Sequence, residues 1–273
     1  MKFVKTLNEF QRNFASRFSS SEWLEAIDFS KFAIVGGCLI NALCDMPFPD
    51  TKQQDINLVY PSHNGTNFES DVKGILDRLG KISSKYSKRQ IKIEKVPGSY
   101  HWHVILPCGV KLNIKIEYIG NSKHPISHIT HNFDMDISQI AFTGKSLRYD
   151  YLIKKLFSNF IGNKLLCTFP FLQALATKCF ITYSLHGHTK KHVCTRIAKY
   201  CARGFYLLEP MNFDGNFDIL MEQEEIPLYR SEQRQIIDDE GEVQIVTAEY
   251  RRQPQPNIDT FQVQELFISM VNP

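Results

Sequence analysis

The sequence predicts an α+β protein, with a mixed sheet and flanking helices followed by a helical region and an extended acidic tail. Three observations carry that expectation. Between residues 32 and 142, short apolar runs and polar/apolar alternations read as strands, with two helical segments among them. Beyond residue 146 the apolar spacing becomes helical. From Phe205 onward there are 14 acidic against 4 basic residues, which leaves 28 basic and 15 acidic residues ahead of it. A basic body of this kind attracts polyphosphate or nucleic acid, and an acidic tail would shield it, dock a partner or simply stay solvated.

The 273 residues are enough for a sizeable core, and 43% hydrophobic with 22% charged residues excludes general disorder and a collagen-like repeat. No uncharged apolar run approaches the roughly 18 residues needed to span a bilayer, so no membrane partner is expected. Seven cysteines, an odd number without a CxxC pair, read as free thiols of a reducing compartment, cytoplasm or nucleus. The N-terminus has the charge of an organelle transit peptide and lacks a secretory apolar core. Phe3, Leu7, Phe10, Phe14 and Phe18 nevertheless recur at helical spacing, which favours an amphipathic helix packed on the body.

In chain order, Ser21 is a plausible cap for a short helix through Trp23, Leu24 and Ile27. Phe32 to Val35 is a strand entering Gly36-Gly37, and Cys38 to Leu43 is helical until Pro47 and Pro49. Gln54 to Tyr60 alternates as a half-buried strand, which puts Asp55 and Asn57 on one face. Phe68 to Leu79 reads as a helix and Ile91 to Val96 as a strand, and His101–Leu106 with Val110–Tyr118 reads as a hairpin turning at Pro107-Cys108-Gly109. Phe133 to Phe142 reads as a further strand, whose alternation places Asp134 and Asp136 together. Helices are then expected over 146–157, 171–185 and 189–203, with Gly204 as a C-cap. Two β-like runs about Asp238 to Gly241 suggest a hairpin in the tail. The divisions are 1–29 for N-terminal helices, 30–145 for the α/β core, 146–208 for the helical region and 209–273 for the acidic extended or hairpin tail.

Chemistry is concentrated in Gly36-Gly37 at a strand-to-helix turn, Asp55-Ile56-Asn57, and Asp136 on a later strand. Paired glycines allow close backbone approach to a triphosphate, and clustered carboxylates can hold the magnesium ions that orient phosphates. Each part alone is also compatible with a plain turn or a solvated strand face.

The segments FAIVGGCLINAL, QQDINLVY and FDMDISQIAF, in this order, resemble the polymerase-β-like nucleotidyltransferase superfamily. They are most similar to the nucleotidyltransferase-like domains found beside ankyrin repeats in viral and lower-eukaryotic proteins. RIAKYCARGF, Arg196 to Phe205, is similar to the helical feature that follows in that group, so the resemblance covers about residues 30 to 206. It implies a nucleotidyltransferase-type sheet, Gly36 and Gly37 against nucleotide phosphates, and Asp55 as first metal ligand. Asp136 would be the third acid, with Asp134 as the alternative, and Lys199 and Arg203 would steady the triphosphate. The sequence departs from the pattern at Asn57, an uncharged ligand where an acid is expected, and in the 17 residues between Gly37 and Asp55.

Two readings follow. The first is a magnesium-dependent nucleotidyltransferase moving a nucleoside monophosphate from a nucleoside triphosphate to an acceptor hydroxyl. The second is a catalytically degenerate module of the same fold that binds nucleotide, nucleic acid or a protein partner. Among weaker candidates, His186, His188, His192 and Cys194 have zinc-type side chains without a second ligand pair. His101-Trp102-His103 reads as a core tryptophan between two outward histidines, with stacking on a base as the rival reading. Lys190, Lys191, Arg196, Lys199 and Arg203 form a basic helical run that is either solvated or anion-binding.

Overall fold

Residues Ala33–Val35 (β1) carry three apolar side chains and are buried along their whole length, which requires a strand inside a sheet covered on both faces. β1 pairs antiparallel with both Asp55–Ser62 (β2) and Ile140–Phe142 (β6). β2 continues in parallel to Lys111–Tyr118 (β5), then antiparallel to His101–Ile105 (β4) and Lys92–Lys95 (β3). On the other side, β6 pairs antiparallel with Leu165–Cys167 (β7), and β7 with Phe261–Gln262 (β12). The resulting eight-stranded order is β12-β7-β6-β1-β2-β5-β4-β3. Cys179–Phe180 (β8) and Tyr206–Leu207 (β9) form a small parallel pair, while Arg230–Ile237 (β10) and Val243–Tyr250 (β11) form an antiparallel hairpin. This computed structural model describes residues 1–86, 90–120, 122–144, 165–182, 190–208, 230–237, 243–250 and 261–262.

Leu7–Phe18 (α1) begins in a capping box in which the Thr6 side chain accepts from the Glu9 backbone and Glu9 reaches back to the Thr6 backbone. Phe10, Phe14 and Phe18 then fall on one face and are buried. The Phe14 ring lies 6.0 Å from Phe10, 5.3 Å from Phe18, 6.1 Å from Trp23 and 6.4 Å from Phe142, which joins the helix to the sheet. The amphipathic packing expected of this segment is present. Phe3 lies outside the helix, in an isolated bridge with Cys44.

Gly37–Leu43 (α2) follows β1, Phe68–Tyr86 (α3) crosses over from β2, and Pro125–His131 (α4) covers the opposite face at Val35, Val59 and Ala141. Phe169–Thr177 (α5) is capped by the Thr168 hydroxyl, which accepts from the Phe171 N–H at 3.2 Å. Lys190–Ala202 (α6) ends ahead of Gly204, whose φ of +89° supports the expected C-cap.

Four expectations change. The helix expected after Ser21 is two 3-10 turns, Ser20–Glu22 and Leu24–Ala26, wrapped around a fully buried Trp23 whose Nε1 donates to Phe18 O at 2.8 Å. The strand expected over 133–142 is confined to Ile140–Phe142 and is preceded by a 3-10 turn at Asp136–Ser138. The helix expected over 171–185 stops at Thr177, because Lys178 adopts the left-handed conformation and the chain re-enters a strand. Strand β7, from the region read as helical, joins the main sheet, as does β12 from the tail. The helix expected over 146–157 lies outside the described residues, as does the turn between β10 and β11.

All seven cysteines are free thiols. Among the described residues no helix is long and apolar enough to cross a membrane. Because Phe14 touches four other rings, Phe14→Ala should cost about 3–5 kcal/mol, read as a lowered urea midpoint. An unchanged midpoint would mean that α1 does not contribute to the core.

Candidate functional site

The end of β1, the first turn of α2, the facing sides of β2 and β5, and one stripe of α6 enclose a cavity of about 750 Å³. Gly36 leaves β1 with φ +83° and ψ −145°, a backbone region open in practice to glycine alone, and its N–H donates to Ile140 O at 3.1 Å. At Gly37 a Cβ would sit 3.4 Å from both Arg203 Nη1 and Tyr200 Oη, so the α6 side chains lie directly against the bare turn.

Alternation along β2 does what the sequence led one to expect. Ile56 and Leu58 are wholly buried in the core, and Asp55 and Asn57 line the cavity on the other face. Asn113 stands opposite Asn57 in the parallel β2/β5 register. Its Nδ2 donates to Asp55 Oδ2 at 3.1 Å and to Asn57 Oδ1 at 3.4 Å, and its Oδ1 lies 2.8 Å from His103 Nδ1. Among the described residues, Asp55 Oδ1 is buried without a hydrogen-bond partner. The His101 and His103 rings are 4.4 Å apart, and burial, reinforced by the charges of His103 and Lys115, holds His101 below the usual histidine range. Trp102 points the other way, partly buried against the core, with Lys95 Nζ 5.5 Å from its ring.

His192, Arg196, Lys199, Tyr200 and Arg203 recur at helical spacing and present one face of α6 to the cavity. The cations arrive already paired. Arg203, 7% exposed, lies between the rings of Phe48 (4.8 Å) and Tyr200 (5.0 Å), and donates from Nε (3.1 Å) and Nη2 (2.6 Å) to Asp50. Lys199 Nζ lies 3.3 Å from the same carboxylate. Burial pushes the Asp50 carboxyl up, but Arg203, Gln54 and Lys199 outweigh it and leave the pKa at about 2. Arg196 Nη1 donates to both oxygens of Asp134, and Lys115 Nζ meets Glu117 at 2.6 Å.

The two aspartates read as alternatives have different surroundings. Asp134 lines the cavity, paired with Arg196. Asp136 does not line it. The 3-10 turn directs its Oδ1 to the backbone N–H of Ile137 (2.6 Å) and Ile181 (3.0 Å), and burial, opposed by these donors, raises its pKa to about 6. Of the zinc-type group, His192 lines the cavity and Cys194 is buried, whereas His186 and His188 lie outside the described residues. Asp50, Asn113 and Glu117 escaped the sequence reading. Asp50 follows two prolines in an irregular loop, and nothing local ties it to an arginine 153 residues away.

The magnesium implied by the resemblance can be tested against these donors. The unpartnered Asp55 Oδ1 suits a cation. Against it, Asn57 Oδ1 accepts from Asn113, Asp134 is engaged by Arg196, and Asp136 is turned into the core. Among the described residues no group of three or more His, Cys, Asp and Glu is assembled for a metal ion. The donor set does not fit a two-metal centre.

Two stability predictions follow from the carboxylates. Asp50→Ala strands the Arg203 guanidinium between two rings and should cost about 3–5 kcal/mol by chemical denaturation. Asp136 has a native pKa near 6, above its ordinary 3.8, so the native state holds this proton more tightly than the unfolded chain does. Its contribution is therefore favourable at low pH and is lost as pH rises through about 6. Asp136→Asn keeps an acceptor for both N–H groups, and stability measured across that range should become flatter. An unaltered pH profile would mean that Asp136 does not titrate there.

In comparison with known proteins, no family model and no curated protein matches the chain. Among solved structures it matches the Thermotoga maritima CCA-adding enzyme complexed with tRNA at 15% identity and a TM-score of 0.36, over 74% of this chain and 43% of that one. A tRNA nucleotidyltransferase complexed with a primer tRNA and an incoming ATP analogue matches at 16% identity and 0.37, over 70% of this chain and 45% of that one. A tRNA-processing enzyme complex matches at 14% identity and 0.39, over 73% and 45%. The chain spans less than half the length of the enzymes it matches.

Proposed function

We propose that this chain is a nucleotidyltransferase-type module that binds a nucleoside triphosphate in the cavity between the Gly36-Gly37 turn and α6 without carrying out two-metal transfer. The observation that supports this most directly is Arg203. With Nε and Nη2 engaged by Asp50, its Nη1 lies 3.4 Å from where a Cβ on Gly37 would stand, so a phosphate oxygen held at this turn would meet a fixed, desolvated cation. Lys199 and Arg196 extend that positive face along α6, and the order of the glycine, Asp-x-Asn and FDMDI segments agrees with the reading. Transfer chemistry is disfavoured because Asn57 carries no charge, Asp136 is withdrawn and Asp134 is neutralised.

One observation favours the catalytic alternative, the unpartnered Asp55 Oδ1. Both readings are tested by calorimetric titration of the four nucleoside triphosphates and by an assay for pyrophosphate release. The expected result is saturable binding, weakened about tenfold in Lys199→Ala, which removes a half-exposed cation from the cavity rim, with no release of pyrophosphate. Release that disappears in Asp55→Ala would establish transfer instead, and no binding of any triphosphate would overturn the nucleotide reading.

A further inference from the structure

The hydrogen bonds around Asn113 determine which end of the Asn57 amide faces the cavity. A carboxylate only accepts, so the Asn113 atom 3.1 Å from Asp55 Oδ2 is its Nδ2. The Asn113 carbonyl oxygen then faces His103 Nδ1 at 2.8 Å, which fits a ring hydrogen on that nitrogen. The same Nδ2 lies 3.4 Å from Asn57, and a donor there requires an acceptor, so Asn57 turns its Oδ1 to Asn113. Its NH₂ group is left for the cavity that Asn57 lines. At the position where a second metal-binding acid would stand, strand β2 therefore offers a hydrogen-bond donor beside the buried, unsatisfied acceptor Asp55 Oδ1.

We propose that Asn57, held in this orientation by Asn113, donates directly to the ligand, and that the site takes its polyphosphate ligand free of divalent cation. This rests on the nucleotide reading above. An acceptor–donor pair suits a ligand presenting a hydroxyl or amine next to an anionic oxygen, whereas a divalent ion would meet the partly positive amide hydrogens of Asn57. Without a metal, the groups left to meet the ligand charge are Arg203, Lys199 and Arg196, each held in place by its own carboxylate partner, Asp50 for the first two and Asp134 for the third. Asn113 is a positioning residue, acting through Asn57 and Asp55.

The test pairs a metal titration with a nucleotide titration. Mn²⁺ alone, followed by electron paramagnetic resonance, should show no saturable site on the parent at millimolar concentration, and Asn57→Asp, nearly isosteric, should create one. ATP, followed by calorimetry, should bind the parent within about twofold as well in EDTA as in excess Mg²⁺, while Asn57→Asp should lose about tenfold or more in EDTA and recover in Mg²⁺. One Mn²⁺ bound per parent chain and lost in Asp55→Ala, or ATP binding to the parent that requires Mg²⁺, overturns the proposal. Absence of ATP binding in both buffers overturns the nucleotide reading, while the Mn²⁺ titration of the parent and of Asp55→Ala still tests whether Asn57 presents a donor or a metal ligand to the cavity.

Discussion

The Arg203–Asp50 pair is the contact on which the cavity depends. It fixes the end of α6 against the irregular chain between α2 and β2, and both partners lose water in forming it. A guanidinium left alone between Phe48 and Tyr200 would be a desolvated charge, so the helix and the loop are ordered together or not at all. The support continues inward. Gln54 Nε2 donates to Asp50 at 3.1 Å, and the wholly buried Asn41 of α2 donates to Gln54 at 3.1 Å and to Thr51 Oγ1 at 2.8 Å. Arg17 of α1 donates in turn to Asn41. A connected polar network thus runs from the first helix, through the core of the second, to the cation at the glycine turn, and such networks hold their members in one arrangement when every member is satisfied.

Pairing also sets the electrostatic character of the site. Arg203 and Lys199 share Asp50, Arg196 holds Asp134, and Lys115 holds Glu117, so each of these cations is held in place by a carboxylate. Asp55 differs. It has an amide donor where the other carboxylates have cations, and one of its oxygens is unmet. In a partly desolvated site such an imbalance has large electrostatic consequences, which makes the β2 edge of the cavity the place where a ligand contributes most.

Much of this was legible beforehand. Alternation within Gln54 to Tyr60 put Asp55 and Asn57 on one face, Arg196, Lys199 and Arg203 read as part of a basic helical run, and Gly204 marked where that helix ends. Alternation failed at Asp134 and Asp136. The apolar residues between them suit a strand, but the backbone turns instead, and the N–H of Ile181 captures Asp136 from 45 residues away. Trp23 misled in the same way: its neighbours suggest a helix, while burying so large a ring and satisfying its Nε1 is compatible with two tight turns. Asn113 looked like one polar position in a hairpin, because its role depends on β5 lying parallel to β2.

By itself the sequence determined which segments extend, which coil, which face of each is apolar, and where the basic and acidic charge accumulates. These follow from the covalent chain, since side-chain direction relative to the backbone is fixed by the local period of helix or strand. Only the tertiary structure decided which carboxylate reaches the cavity, which cations are already paired, and which end of an amide faces a ligand. Those outcomes depend on partners and burial supplied by distant segments, and no local period encodes them.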